Sequence, residues 1–287
     1  MLFHKKAFII TPPSQTLFVT ENFYPSNIAL KNNRLKVINI LDVDLDFFLN
    51  DQFTSFNKPK GRLNDKFFIP WKPEGVINYL ENNCGLSKNK KIKGKTFTHH
   101  NEVFYFLREL QNENDLNLLF SIDHLDAHAD LGLGDTSYEY IQTELILEPV
   151  QNRYNPKEGG RDGLSEGNFL AFAIACRWIK DITYINKREW SDDLAQYLFK
   201  NFDTNTNLIE LKTLNKAYIH QMIFGNPNVK VPNYSTSEPL VPFIKIDSTN
   251  FISSKKYDYV LLTQSPEYTP MTSDALIPII EDYMDKI

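Results

Sequence analysis

The sequence predicts an α/β fold with a mainly parallel sheet covered on both faces. Three observations predict it. Short, nearly continuous apolar runs recur along the chain, helix-like segments separate them, and acidic clusters directly follow two of the runs. A strand buried on both faces reads as an unbroken hydrophobic stretch, and alternation of such strands with helices builds a parallel sheet. Ligands of these sheets bind at the carboxyl ends of the strands, where the acidic clusters fall here. The expected strands are Val37–Leu41, Leu118–Ile122, Thr183–Ile185, Phe243–Ile246 and Tyr259–Leu262. The expected helices are Glu74–Asn82, Asn101–Gln111, Asn168–Trp178, Ser191–Phe199 and Ser273–Asp285. Ser191 with Asp192 and Asp193 makes a good helix start, because a Ser cap and early acids suit the N-terminal dipole. The basic stretch Ser87–Lys95 lacks apolar periodicity; it reads as a solvated loop or, more sharply, as a docking patch for an acidic peptide. Glu148–Gly167, with Pro156 and four glycines, reads as a long loop of the kind that is often functional. No linker divides the chain, so one domain over residues 1–287 is expected.

Composition narrows the function classes. At 287 residues, 42% hydrophobic and 23% charged, the chain has the material for a real core and is neither disordered nor collagen-like. A net charge of -5 provides no overall basic excess to draw it onto nucleic acid or an anionic membrane. Cys84 and Cys176 lie far apart in sequence, with neither in a C-x-x-C pair, and read as reduced thiols. The apolar run Ala7–Ile10 is too short for a signal-peptide core, and no stretch approaches the ~20 apolar residues of a membrane span. These features together point to a soluble cytoplasmic protein. Whether it self-associates is left open.

The chemistry concentrates in three places. In SIDHLDAHADLGLG, residues 121–134, Asp126, His128 and Asp130 form D-x-H-x-D after an apolar run. On an extended chain, residues two apart share one face, so two carboxylates and an imidazole would converge. Burying them together without a cation is costly, and a divalent metal removes the conflict. In VINILDVDLDFFLN, residues 37–50, Asp42, Asp44 and Asp46 alternate with apolar residues and again share a face. In THHNEVFYFLRELQ, His99 and His100 precede an apparent helix, and with His124 and His128 they make four of the six histidines. Mixed oxygen and nitrogen donors suit manganese better than a structural zinc. Two ions about 3.5–4 Å apart would serve hydrolysis at carbon or phosphorus.

These residues resemble the arginase–agmatinase (ureohydrolase) superfamily. Its D-A-H-x-D motif is matched by Asp126-Ala127-His128-Ala129-Asp130, and its D-x-D motif is similar to Asp44-Leu45-Asp46, with Asp42-Val43-Asp44 as an alternative register. Its first metal histidine looks like His100, and its Ser-Gly-Asn substrate loop is similar to Ser165-Glu166-Gly167-Asn168. A closer resemblance is to an atypical branch with an H-N helix start, a D-x-D-x-D-F-F strand and a late S-P-x-x-x-P segment, here His100-Asn101, Asp42 to Phe48 and Ser265 to Pro270. That branch includes peptide arginases, which convert arginine side chains to ornithine within ribosomally made precursor peptides. The resemblance therefore implies a three-layer αβα arginase-like fold. It implies two Mn2+ per chain held by Asp44, Asp46, His100, Asp126, His128 and Asp130. It also implies urea release from an arginine-containing precursor peptide, with Asp130 holding the intermediate and relaying a proton.

The chain departs from arginases in three ways. The D-x-D strand precedes the D-A-H-x-D strand, so the motif order is rearranged. The proton-shuttle histidine falls on Leu170, and the guanidinium-binding acid falls near Thr263. Glu166 and Glu267 are the acids placed to compensate, Glu166 also as a catalytic group, with Asn168 beside the substrate. Two other readings stay open. One is a deacetylase-type amidohydrolase with one zinc and the His99–His100 pair. The other is a metal-binding module without turnover.

Overall fold

A computed structural model describes residues 35–54, 61–191, 193–224 and 234–287, within a compact unit that spans Lys31–Ile287. The run Ala7–Ile10, Asp192 and the start of the expected 1–287 domain lie outside the described residues. The fold is α/β. Eight strands form one sheet: β1 (Lys36–Asp44), β2 (Ile92–Phe97), β3 (Leu118–Leu125), β4 (Ile179–Asn186), β5 (Leu208–Ile209), β6 (Val241–Asp247), β7 (Tyr259–Thr263) and β8 (Met284–Lys286). Their order is β5-β6-β4-β3-β1-β7-β2-β8, and every pairing is parallel except β5 with β6.

Alternation along β1 explains the layers. Ile38 and Ile40 point into one core, with Phe104 and Leu107 of α2 (Asn101–Glu113) and the wholly buried α4 (Phe169–Ala175). Tyr138 and Ile141 of α3 (Ser137–Thr143) and Ile219 of α5 (Lys216–Phe224) join that core. Leu41 and Val43 point the other way, against Val76 and Leu80 of α1 (Pro73–Asn82) and Ile280 of α6 (Ile277–Glu281). A sheet with helices on both faces is the three-layer αβα arrangement expected. From β1 the chain passes to one side to make β2, then to the other for β3 and β4. The site lies over the carboxyl ends of β1 and β3, where that winding reverses.

All five expected strands form, and each runs longer than expected. Three expectations fail. Ser87–Lys95 is not wholly a loop, because Ile92–Phe97 is β2. Only Gly94 and Phe97 are buried in it. A Cβ at Gly94 would lie 2.6 Å from Met284 Cγ, so the glycine lets β8 pack over the strand. Ser191–Phe199 forms no α-helix among its described residues, only a single 3-10 turn at Gln196–Leu198. Ser273–Asp285 breaks into a 3-10 turn, the short α6 and β8. Cys84 and Cys176 are buried free thiols, pushed up by burial, so neither is a nucleophile. No helix among the described residues is long and apolar enough to cross a membrane.

Candidate metal centre

The six residues expected as metal ligands come together at the carboxyl ends of β1 and β3. They arrive by different routes. Asp42 and Asp44 lie on β1 on the face that carries Ile38 and Ile40. Asp46 lies beyond the strand, in the 3-10 turn Leu45–Phe48, whose start is fixed by the Asp46 N–H donating to Asp44 Oδ1 at 3.0 Å. The D-x-H-x-D segment corrects the extended-strand expectation, because β3 ends at Leu125 and Asp126 to Asp130 form a tight bend. The His128 N–H donates to Asp126 Oδ1 at 2.7 Å, the Ala129 N–H donates to Asp193 Oδ2 at 2.9 Å, and Asp130 adopts φ +49°. The ligands converge because the loop folds on its own Asp126–His128 hydrogen bond and on Asp193, not because of the pleat.

Two constellations share Asp126. In the first, His100 Nδ1 faces Asp44 Oδ2 at 3.1 Å, Asp126 Oδ2 at 3.1 Å and Asp130 Oδ2 at 3.0 Å. In the second, His128 Nδ1 faces Asp46 Oδ2 at 3.1 Å and Asp126 Oδ1 at 3.6 Å. One ring nitrogen can serve only one of three oxygens by hydrogen bonding. Asp126 Oδ2 and Asp130 Oδ2 are buried without a hydrogen-bond partner. Donor atoms each about 2.1 Å from one ion are themselves about 3.0–3.4 Å apart, so this spacing fits a shared cation.

The outer contacts fix the tautomers. His100 Nε2 lies 3.1 Å from Asp42 Oδ2, and His128 Nε2 lies 2.8 Å from the Phe53 carbonyl. Each therefore donates outward and turns its Nδ1 lone pair toward the carboxylates, the arrangement typical of a metal-binding histidine. His124 differs. Its Nδ1 lies 2.8 Å from Asp42 Oδ2 and its Nε2 lies 3.1 Å from the His128 carbonyl, so both nitrogens donate and neither is left for a metal. Asp42 accordingly holds two imidazoles, whereas Asp44 and Asp46 face the inner nitrogens of His100 and His128. Ser265 on the loop after β7 donates its hydroxyl to Asp44 Oδ2. Sequence reasoning kept Asp42 only as an alternative ligand and gave His124 and Ser265 no defined role at the site. The short spacing of His124 from the motif was the available signal for that residue.

Electrostatics agree with the geometry. Burial, with Asp44 and Asp126 adding to it, pushes the Asp46 carboxyl well up. Burial and Asp126 push Asp130 up to about 7. Burial alone would lower His100, but Asp42 and Asp130 outweigh it and hold it well above the usual range. Burial is likewise outweighed at His124, which Asp42 and Asp126 raise to about 9. Protons thus neutralise the cluster wherever cations do not.

A cavity of about 300 Å³ opens onto these ligands and is also lined by Asp135, Glu166, Asp193 and Tyr268, with no lysine or arginine among the described residues of its wall. Glu166 Oε1 lies 2.8 Å from His99 Nδ1, and Glu267 Oε2 lies 3.6 Å from the same atom. The two expected substrate acids therefore meet at the cavity edge, with Glu166 in the lining. Asn168 does not line the cavity. It is fully buried, donates to Asp135 Oδ2 at 2.8 Å and the Gly163 carbonyl at 2.9 Å, and accepts from the Ser165 N–H at 2.7 Å. This corrects its expected substrate contact, since its polar atoms are spent on fixing the loop that carries Glu166. Leu170 is core. Compared with known proteins, the chain matches no family model and no curated protein.

Proposed function

We propose that the protein is a binuclear manganese hydrolase that converts arginine residues of a peptide to ornithine and releases urea. One observation supports this above others: buried Asp and His groups that could hold metal ions meet at Asp126 and open onto a cavity with further carboxylates and, among its described residues, no lysine or arginine. Four ligand carboxylates balance two divalent cations. Asp135, Glu166 and Asp193 then leave the cavity negative, which suits a cationic guanidinium group.

His100, Asp44 and Asp130 would hold one cation and His128 and Asp46 the other, with Asp126 close to both groups. Bound there, such a pair supplies Lewis acidity and water ionised at neutral pH. The side chains do the rest. Glu166 pairs with the guanidinium and orients its carbon, Glu267 adds to the negative field, and Asp130 holds the tetrahedral intermediate. Water adds to the guanidinium carbon, the C–N bond to the side chain breaks, and the departing amine takes a proton. Asp130 relays that proton, and His99, beside Glu166 and partly open to solvent, exchanges it outward. His99 and His100 serve different partners, which favours this reading over the paired histidines of a deacetylase.

The test is urea release by manganese-loaded protein given an arginine-containing peptide and free arginine in parallel. Urea from the peptide alone is the expected result. Absence of urea from both, with metal bound, would overturn the reading.

A further inference from the structure

A second cavity, of about 410 Å³, lies at the opposite pole of the sheet, over the amino ends of β1, β2 and β7. Lys36, Lys90, Lys91, Lys93 and Lys256 line it, all exposed, and none makes an ion pair with a described residue. Lys93 stands opposite Asp285 across the β2–β8 pairing without an ion pair to it. Lys255, the sixth lysine in the wall, is already spent, donating to Asp123 Oδ1 at 2.7 Å. The one acid in the lining, Asp258, accepts the Asn39 backbone N–H at 2.9 Å.

Five ammonium groups without an ion pair to a described residue, around a concavity with one carboxylate in its lining, are notable in a chain of net charge -5. Nor does the chain carry an acidic segment to fill it. Outside the described residues, only Glu21 and Asp192 are acidic. Lysines on flexible stems act as separate point charges rather than a rigid fork, which suits several separate carboxylates spread along a segment.

We infer that this cavity docks an acidic stretch of the polypeptide substrate, at the pole opposite the arginine that is processed. The inference rests on the peptide reading of the substrate. β1 carries Lys36 at one end and Asp44 at the other, and its nine residues span about 26 Å at 3.3 Å per residue. A chain reaching between the poles around the outside needs about ten residues or more.

The test uses full-length, manganese-loaded protein and its Lys90→Glu/Lys91→Glu/Lys256→Glu variant. All three positions are exposed, so folding and metal content should match the wild type. A fluorescent oligoglutamate peptide should bind the wild type and bind the variant at least about tenfold more weakly, with affinity falling as salt rises. KM for an arginine peptide with a distant glutamate-rich tail should rise about tenfold in the variant, while KM for the tailless peptide stays the same. No binding of oligoglutamate to the wild type, equal binding by the variant, or tighter binding of an RNA oligonucleotide of equal charge would overturn the inference. Oligoglutamate binding as stated, with no urea from any arginine peptide, would uphold the site and discard the arginase reading.

Discussion

Asp123 and Asp126 lie three residues apart at the end of β3, and both are buried. Asp123 is neutralised from within the chain. It accepts from Lys255 Nζ at 2.7 Å, Tyr257 Oη at 2.6 Å and Ser253 Oγ at 3.3 Å. Asp126 has imidazoles and a backbone N–H around it, yet its Oδ2 has no hydrogen-bond partner, and Asp44, Asp46 and Asp130 crowd the same space. The difference teaches where to look for a ligand. A buried acid with a lysine of its own is structural, whereas a group of buried acids without one is built to receive a cation.

Exchanging the two roles tests this most strongly. Asp126→Asn should weaken manganese binding by at least about a hundredfold and abolish urea release. Asp123→Asn should keep metal and turnover and lose about 1–3 kcal/mol of stability. Metal analysis and thermal denaturation on both variants separate the outcomes, and equal metal loss in both would break the comparison. Next in size is Asp42→Asn, which frees His100 and His124 from their common acceptor. Metal affinity should fall about ten- to a hundredfold, read by competition with a fluorescent chelator.

A pH effect follows from the same crowding. In the chelated protein Asp130 keeps its proton up to about 7, whereas the unfolded chain releases it near about 3.9. His124 keeps its proton up to about 9, against about 6.5 when unfolded. The folded state therefore binds more protons across that window, and stability falls as pH rises from about 5 to 9. Manganese replaces the proton at Asp130, so added metal should stabilise more at high pH and flatten the trend in a thermal scan. A chelated protein that gains stability over this range would contradict the crowding. The smallest effect is expected from Glu267→Gln, outside the ligand set: a few-fold rise in KM for the arginine peptide with metal content unchanged.

The sequence was legible where one residue's environment follows from its neighbours. Continuous apolar runs ending in acids located β1, β3 and the acidic clusters that follow them, while the family resemblance singled out His100 and the set of six. Misreadings arose where partners distant in sequence decide the structure. β2 holds its place by pairing with β7 and β8 rather than by its own burial, so its lysine-rich sequence reads as a loop. Ser191 and Asp193 resemble a helix cap, yet Asp193 is spent on the Ala129 N–H and Ser191 donates its N–H to Gln52 Oε1. Asn168 shows the same limit at the site, because its three partners are set by the fold of a long loop. Asp42 and Asp44 are adjacent on one strand face, and only the positions of His100 and His124 separate the ligand from its support.

The most direct measurement of the central claim is the manganese content of the purified, manganese-loaded chain beside its Asp126→Asn variant. The account predicts close to two ions per chain in the first and a large loss in the second. A wild-type chain that retains no ion, or a single ion kept equally by the variant, would contradict it.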